Sequence, residues 1–181
     1  MVDPGKIFGR LGNRLFQSAF FYAVAKRRGV DFYFQDPKFF SGYEEEIKQL
    51  FSEGIGYLTQ VGVHVRRAGN PISPDEPKYS ENPFYVNLSE TDYYERAMAM
   101  FPGDKFLVFS DDVEWCKEKF KDNPNVQVME KNDEVTDFNL LASCEHLIIA
   151  NSSFSWWAAY LCPNATKKIV APKNWYSDGV E

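Results

Sequence analysis

The chain has 181 residues, 44% hydrophobic and 17% aromatic, so it can bury the core of one domain. Its formal charge of −6 argues against a nucleic acid or an anionic membrane as partner, because both favour a basic surface. The sequence shows no apolar run long enough for a membrane span and opens without an apolar signal segment. Cys116, Cys144 and Cys162 lack paired spacing and are predicted to be buried reduced thiols, which fits a cytoplasmic location.

The first third of the sequence contains one well-defined helix. The two glycines of "GRLGNR", residues 9–14, predict a loop. The following "LFQSAFFYAVAKRRG", residues 15–29, has apolar residues at helical spacing, three basic residues in its last turn and a terminal glycine. We expect a strand at 30–34, a short helix at 43–51 and a glycine-containing linker at 52–60.

The rest of the sequence alternates short apolar runs with helical stretches, which is typical of an α/β fold. The five predicted strands are "VGVHV" (61–65), "KFLVFS" (105–110), "VQVME" (126–130), "HLIIA" (146–150) and "KKIVA" (167–171). Helices are predicted within 89–101, where Ser89-x-x-Asp92 resembles a capping box, and within 111–121, 135–144 and 153–161. The proline-rich stretch 68–83 is predicted to be a long irregular loop. The pattern therefore predicts a mostly parallel, Rossmann-like sheet with flanking helices.

Polar residues directly follow three of these strands, where ligands of open parallel sheets bind. They are Arg66 and Arg67, then Ser110, Asp111 and Asp112, then Asn151, Ser152 and Ser153. Guanidinium groups bind phosphate oxygens, carboxylates accept from ribose hydroxyls or a base edge, and hydroxyl and N–H groups at a helix start donate to phosphate. Together these residue types indicate a site for a nucleoside diphosphate.

Each of these residues also has a purely structural interpretation. Ser110, Asp111, Ser152 and Ser153 suit helix caps, Arg66 and Arg67 suit solvated charges, His64 suits a packed imidazole as well as a crevice, and Trp156 and Trp157 suit the core. Other chemistries have less support, because the sequence has no GxSxG elbow, Walker A loop, GxGxxG fingerprint or zinc-ligand spacing. The convergence of three strand ends on one ligand type favours the nucleotide site.

Several blocks of sequence resemble a known enzyme family. They are "GRLGNRLFQSAF" (9–20), "VGVHVRR" (61–67), "FSDDVEWCK" (109–117), "LLASCEHLIIANSSFSWWAAYL" (140–161) and "KIVAPKNWY" (168–176). In the same order, these blocks resemble the inverting α-1,2-fucosyltransferases of glycosyltransferase family 11. The resemblance implies the donor-binding half of a GT-B enzyme that passes fucose from GDP-fucose to a galactose-containing glycan, with inversion and without a metal or other cofactor.

The resemblance also implies roles for individual residues. Arg66 is expected to be catalytic and to grip the diphosphate as the sugar leaves, with His64 in support. Asp111 or Asp112 is expected to read the guanine or the ribose. The other substrate-binding residues that it implies are Arg67, Ser110, Asn151, Ser152, Ser153, Phe154 and Ser155, with Gly12 and Asn13 facing the donor from an N-terminal loop.

Two departures from the family pattern leave a second function open. Gly69 stands where the H-x-R-R-x-D motif has its aspartate, and most of the N-terminal half of the family is expected to be missing. We therefore predict one α/β nucleotide-sugar-binding domain over 1–181, with a reduced N-terminal part at 1–60 and a donor-binding part at 61–181. The alternatives are a non-catalytic module that binds GDP or a GDP-sugar, and a structural α/β subunit, and a homo-oligomer is possible.

Overall fold

The computed structural model describes part of an N-terminal unit and most of a C-terminal one. It describes residues 11–15, 17, 19, 23, 48–49, 51–52, 54–68 and 78–177. The chain divides into two compact units, Met1–Gly54 and Ile55–Glu181. The predicted strand at 30–34 lies outside the described residues, while residues 48, 49 and 51 of the predicted helix at 43–51 are helical. The division into one donor-binding domain with a reduced N-terminal part stays a prediction.

The predicted N-terminal loop is wrong from residue 11 onward. Residues 11–15 are helical, so Gly12 and Asn13 lie in a helix, and Gln17 Nε2 donates to the Asn13 carbonyl at 3.0 Å, one turn away. Gly12 is buried, as are Ala19 and Ala23, which follow at helical spacing. A glycine within a helix costs only about 0.5–1 kcal/mol relative to alanine. Burial of this small-residue face can offset that cost, which local glycine preference does not reveal.

The C-terminal unit contains one five-stranded parallel sheet. Its strands are β1 Val61–Val65, β2 Phe106–Ser110, β3 Val126–Val128, β4 His146–Ile148 and β5 Ile169–Val170. Their order is β3-β2-β1-β4-β5, and every neighbouring pair is parallel. This is the order of a doubly wound sheet, with β1 at its centre. The predicted α/β fold with a parallel sheet is confirmed.

Helices pack on both faces of this sheet. They are α1 Tyr93–Met98, α2 Val113–Phe120, α3 Glu134–Ala142 and α4 Ser153–Leu161. One face of β1, with its three valines, joins the core formed by α1 and α2. On the other face a Cβ added at Gly62 would lie 2.8 Å from Leu141 Cδ1 and 2.9 Å from Cys144 Sγ, so α3 packs closely there. Among the described helices, none is long and apolar enough to cross a membrane.

The start of α1 differs from the predicted capping box. Ser89 lies in a 3-10 helix, Leu88–Glu90, and its N–H donates to Asn87 Oδ1 at 3.2 Å. Helix α1 begins later, at Tyr93, whose N–H donates to Thr91 Oγ1 at 3.2 Å. The capping box is wrong because Asn87 competes successfully for the turn at Ser89. Short side chains that bond to nearby backbone groups often redirect a helix start in this way.

The three cysteines are buried and free, as predicted. Burial raises the pKa of Cys116 to about 11 and that of Cys144 to about 12. Cys162 Sγ donates to the Cys144 carbonyl at 3.3 Å. These thiols therefore act as small apolar side chains of the core.

Candidate functional site

The three predicted groups of polar residues lie at one edge of the sheet. Val65 pairs in register with Ser110, and Val63 with Ile148, so β1, β2 and β4 end side by side. Because all the strands are parallel, the residues that follow them meet at the carboxyl edge. The chain leaves β1 for one side of the sheet and returns through β4 on the other, so the gap between these two strands is the topological switch point.

Arg66 follows β1 directly and is held by its neighbours. Its Nη1 donates to the Ala68 carbonyl at 2.8 Å and forms an ion pair with Asp111. The side chains of Arg66 and Asp111 are each only 12% exposed. Asp111 Oδ1 also accepts the backbone N–H groups of Arg67, at 2.9 Å, and Ala68, at 3.0 Å. Asp111 therefore both folds the chain after β1 and neutralises Arg66.

Arg67 joins the same edge to the start of α2. Its Nε donates to Asp112 Oδ2 at 3.1 Å, its Nη1 donates to Ser89 Oγ, and its guanidinium lies 4.2 Å from the centre of the Trp115 ring. Asp112 caps α2 by accepting the Trp115 N–H at 3.3 Å, and its own N–H donates to Ser110 Oγ at 3.0 Å. The N-cap of α2 is therefore Asp112, whereas the helix-cap interpretation of the sequence concerned Ser110 and Asp111. A role for either aspartate in reading guanine or ribose stays a prediction.

Asn151, after β4, joins two segments that are distant in sequence. Its side chain is buried, and Nδ2 donates to the carbonyls of Val86, at 3.0 Å, and Trp175, at 2.9 Å. Next to these carbonyls Tyr85 and Tyr176 form an antiparallel bridge with stacked rings, whose centres are 5.6 Å apart. Asn151 therefore fixes a short two-stranded ribbon against the end of β4.

Ser152, Ser153 and Ser155, which follow Asn151, occupy different positions at the start of α4. Ser155 is fully buried, and its Oγ lies 3.3 Å from both the Ala150 and the Ser152 carbonyl. Ser152 is the N-cap residue of α4, but its side chain makes no capping hydrogen bond. Ser153 and Phe154 are the first two residues of α4. The start of α4 thus brings backbone N–H groups and the positive end of the helix dipole to the switch point.

His64 is a packed imidazole, one of the two interpretations that the sequence left open. It is 6% exposed on β1, and its ring centre lies 5.1 Å from that of Phe154. Phe154 in turn meets Phe138 of α3 edge to face at 5.4 Å. His64 therefore supports the start of α4, and its predicted contribution to donor binding stays a prediction.

Sequence reasoning missed Tyr79. It begins a 3-10 helix, Tyr79–Glu81, within the stretch predicted to be irregular loop. The guanidinium carbon of Arg66 lies 5.0 Å from the centre of the Tyr79 ring, and the Tyr79 hydroxyl donates to the Asn151 carbonyl. Burial raises the pKa of Tyr79, so the phenol is protonated at neutral pH. An isolated aromatic residue in a proline-rich stretch carries no periodicity that could have revealed this contact.

Three residues named in the sequence analysis are not among the described residues of the C-terminal unit. Gly12 and Asn13 are in the N-terminal unit, and Gly69 lies outside the described residues. The donor-facing role of Gly12 and Asn13 therefore stays a prediction.

Comparison with known proteins identifies the family. The profile of glycosyl transferase family 11 matches residues 16–181. The chain belongs to this family. It is 28% identical to the O-antigen biosynthesis glycosyltransferase WbnK and 30% identical to an alpha-1,2-colitosyltransferase, both from Escherichia coli, over 80% of this chain and 54% of each relative. It is 33% identical to human galactoside alpha-(1,2)-fucosyltransferase 1, over 60% of this chain and 30% of that protein.

The family 11 resemblance of the sequence blocks is thus confirmed, although the chain spans about half the length of its E. coli relatives. Among solved structures, POFUT1 in complex with GDP matches 83% of this chain and 49% of that chain, with a TM-score of 0.38 and 12% identity. A likeness that distant has no bearing on function.

Proposed function

We propose that the carboxyl edge of the sheet binds GDP-fucose and that the protein transfers fucose to a galactose-containing glycan with inversion. The supporting observation is that Arg66 and the N-terminus of α4 lie on the two sides of the β1/β4 switch point in a member of glycosyl transferase family 11. The names of its relatives include fucosyltransferases and a colitosyltransferase. The donor sugar and the galactose acceptor are therefore the parts of this proposal that most need a direct test.

The chemistry of the edge suits a diphosphate. Arg66 supplies a planar guanidinium, and α4 is a nine-residue helix whose first N–H groups and dipole favour an anion. Asp111 weakens the attraction of this edge for an anion, because its carboxylate is already paired with the Arg66 guanidinium. An incoming phosphate would have to share or displace that contact, so Asp111 sets how strongly Arg66 attracts an anion.

In the proposed reaction, a galactose hydroxyl attacks the anomeric carbon of fucose from the side opposite the diphosphate. The bond from that carbon to the phosphate oxygen breaks, negative charge grows on the departing GDP, and Arg66 stabilises this charge. The attacking hydroxyl loses its proton to a base that we do not assign. Asp111 and Asp112 are poor candidates for this base, because both carboxylates accept from arginines.

A second function, a module that binds GDP or a GDP-sugar without transfer, is favoured by the same pairing. With both aspartates of the edge engaged, binding of the nucleotide has more support than proton removal from an acceptor. Donor hydrolysis distinguishes the two proposals, because a binding module leaves GDP-fucose intact.

Calorimetric titration with GDP, GDP-fucose and UDP, followed by a donor-hydrolysis assay, tests both functions. We expect GDP to bind with a Kd between micromolar and millimolar, which corresponds to roughly −8 to −4 kcal/mol. UDP that binds as tightly as GDP would contradict the guanine preference, and the absence of any GDP binding would contradict both functions.

Arg66→Ala tests the residue on which the proposal rests. A charge-assisted hydrogen bond contributes about 1.5–3 kcal/mol, so GDP affinity should fall about 10- to 150-fold. Any transfer or hydrolysis should fall about 10²- to 10³-fold, and Arg66→Lys should restore little because a point charge cannot replace the fork. Arg96→Ala on α1, where the side chain is exposed, is the matched control. If Arg66→Ala binds GDP as well as the parent, the site assignment is wrong.

A further inference from the structure

We infer that Tyr79 is a positioning residue that holds the Arg66 guanidinium across the gap between β1 and β4. This inference rests on the proposed role of Arg66 at the diphosphate. Tyr79 itself need not touch the substrate, because it acts through the side chain that it covers.

Tyr79 contacts both sides of the switch point. Its ring lies over the Arg66 guanidinium at 5.0 Å, on the β1 side, and its hydroxyl donates to the Asn151 carbonyl, on the β4 side. Asp111 holds the same guanidinium through an ion pair. The Arg66 guanidinium is therefore held by the Tyr79 ring and the Asp111 carboxylate. The Tyr79 ring is held in turn through its hydroxyl by the Asn151 carbonyl, just after β4.

The backbone around Tyr79 is tied to the segment that carries Arg66. The Ser80 N–H donates to the Arg67 carbonyl at 3.1 Å, and the Tyr79 N–H approaches the Ala68 carbonyl at 3.4 Å. On its other side the Tyr79 ring stacks on Tyr85, with the ring centres 4.4 Å apart and the planes at 21°. The tyrosine is thus anchored by backbone, hydroxyl and ring, which makes it a firm support.

This arrangement matters because an arginine side chain has many rotamers to lose when it binds a ligand. A guanidinium that is already ordered avoids that loss at the moment of binding, and charge stabilisation in a reaction is strongest when the donors are fixed beforehand. Without the ring, the ion pair with Asp111 would draw the guanidinium toward the carboxylate. Loss of Tyr79 should therefore weaken the function of Arg66 while the fold persists.

The first experiment measures the order of Arg66 without any nucleotide. The Nε–Hε signal of Arg66 is assigned by NMR, and its order parameter is compared among the parent, Tyr79→Leu and Tyr79→Phe. We expect a restricted signal in the parent, a clearly more mobile one in Tyr79→Leu and an intermediate one in Tyr79→Phe, which keeps the ring. Tyr57→Leu is the matched control, since Tyr57 is 76% exposed. An Arg66 signal that Tyr79→Leu leaves unchanged overturns the inference.

The second experiment is a double-mutant cycle read by GDP titration. Tyr79→Leu should weaken GDP binding about 5- to 30-fold in the parent but less than about 2-fold in Arg66→Ala, because the ring acts only through that arginine. Tyr79→Phe should weaken GDP binding about 2- to 5-fold. An equal loss with and without Arg66 would mean that Tyr79 is merely structural, and it overturns the inference.

The two experiments separate the inference from the proposed function. If the parent does not bind GDP, the proposed function fails, and the NMR comparison still decides whether Tyr79 orders Arg66. If the affinity for GDP depends on Arg66 but not on Tyr79, the proposed function stands and the inference about Tyr79 is wrong. If Tyr79→Leu does not fold, Tyr79→Met removes the ring with an unbranched side chain that adapts to irregular gaps, and Tyr79→Phe removes only the hydroxyl.

Discussion

Different kinds of interaction hold the chain in place on the two sides of the switch point. On the β1 and β2 side, two arginines and two aspartates pair with one another and order the chain after the strands. On the β4 side, the side chains of Asn151 and Ser155 order the chain through uncharged hydrogen bonds to backbone carbonyls. One side is thus a charged network of partly exposed side chains, and the other is an uncharged network of buried ones.

This difference shows which side can respond to a ligand. Charged groups at a partly open edge exchange partners when an anion arrives, because a phosphate can replace a carboxylate. Buried neutral groups bonded to carbonyls have no such exchange, so the β4 side acts as a rigid wall that presents the start of α4. We therefore expect substitutions in the charged network to change binding as well as stability, and substitutions of Asn151 and Ser155 to change stability alone.

Asn151→Asp should have the largest effect on stability. The new carboxylate would face the Val86 and Trp175 carbonyls without a donor, so the loss should be about 3–5 kcal/mol at pH 7. Burial would raise the pKa of this carboxyl above its unfolded value of about 3.9, so the native state would bind more protons and stability should recover as the pH falls toward 4. Urea unfolding at pH 7 and pH 5 measures this, with exposed Asn125→Asp as control. A variant equally stable at both pH values would contradict the neutral network.

Asp111→Ala should have the second largest effect on stability. It removes the acceptor of two backbone N–H groups and the partner of Arg66, so we expect a loss of about 3 kcal/mol. Asp111→Asn keeps an acceptor oxygen and should lose less, about 1–2 kcal/mol, and it should tighten GDP binding because the competing charge is gone. Urea unfolding and calorimetry measure both effects, with exposed Asp104→Ala as control. Weaker GDP binding by Asp111→Asn would favour a direct contact of Asp111 with the nucleotide.

Ser155→Ala should have a smaller effect. It removes a buried hydroxyl that reaches two carbonyls at 3.3 Å, and hydrogen bonds of that length contribute about 1 kcal/mol in total. We expect a lower unfolding temperature with unchanged GDP affinity. An unchanged unfolding temperature would show that water or the helix itself replaces this hydroxyl.

Ser152→Ala should be the mildest change to the fold. An N-cap serine usually contributes about 1 kcal/mol, but this one makes no capping hydrogen bond, so we expect a loss below about 0.5 kcal/mol. If Ser152 binds the substrate, as the family resemblance implies, GDP binding should weaken about 3- to 10-fold in calorimetry. Unchanged binding together with unchanged stability would remove Ser152 from the site.

The sheet and the edge where its polar residues gather could be predicted because they depend on pattern and topology. Apolar runs such as Val61–Val65 separate cleanly from helical stretches, and parallel strands must end at a common edge. The placement of Arg66, Asp111 and Asn151 at that edge follows from chain order alone. Family membership followed from the blocks of sequence around these same residues.

Pairing within the edge could not be predicted, because it depends on distances that sequence order does not contain. The residue type of Asp111 suits a ribose hydroxyl as well as an arginine, and its pairing with Arg66 depends on the path of the chain after β1. Tyr79 gives no local signal, since its partners, Arg66 and Asn151, follow two strands that are far apart in sequence. Two residues differ from the simplest interpretation of their types: Gly12 lies in a helix, and Asn87 accepts from the Ser89 N–H and so displaces the predicted capping box.

The central position of β1 has a consequence for biosynthesis. Val61 pairs with Phe106 on one side and with His146 on the other, so the strand is translated long before its second neighbour exists. At ordinary ribosome speeds the ~85 intervening residues take about 4 to 17 s to make. Throughout that interval a strand whose five residues are all buried in the finished fold has an unpaired edge open to other nascent chains. The inner edge of β1, the strand that ends just before Arg66, therefore stays available for pairing with another chain until β4 has been made.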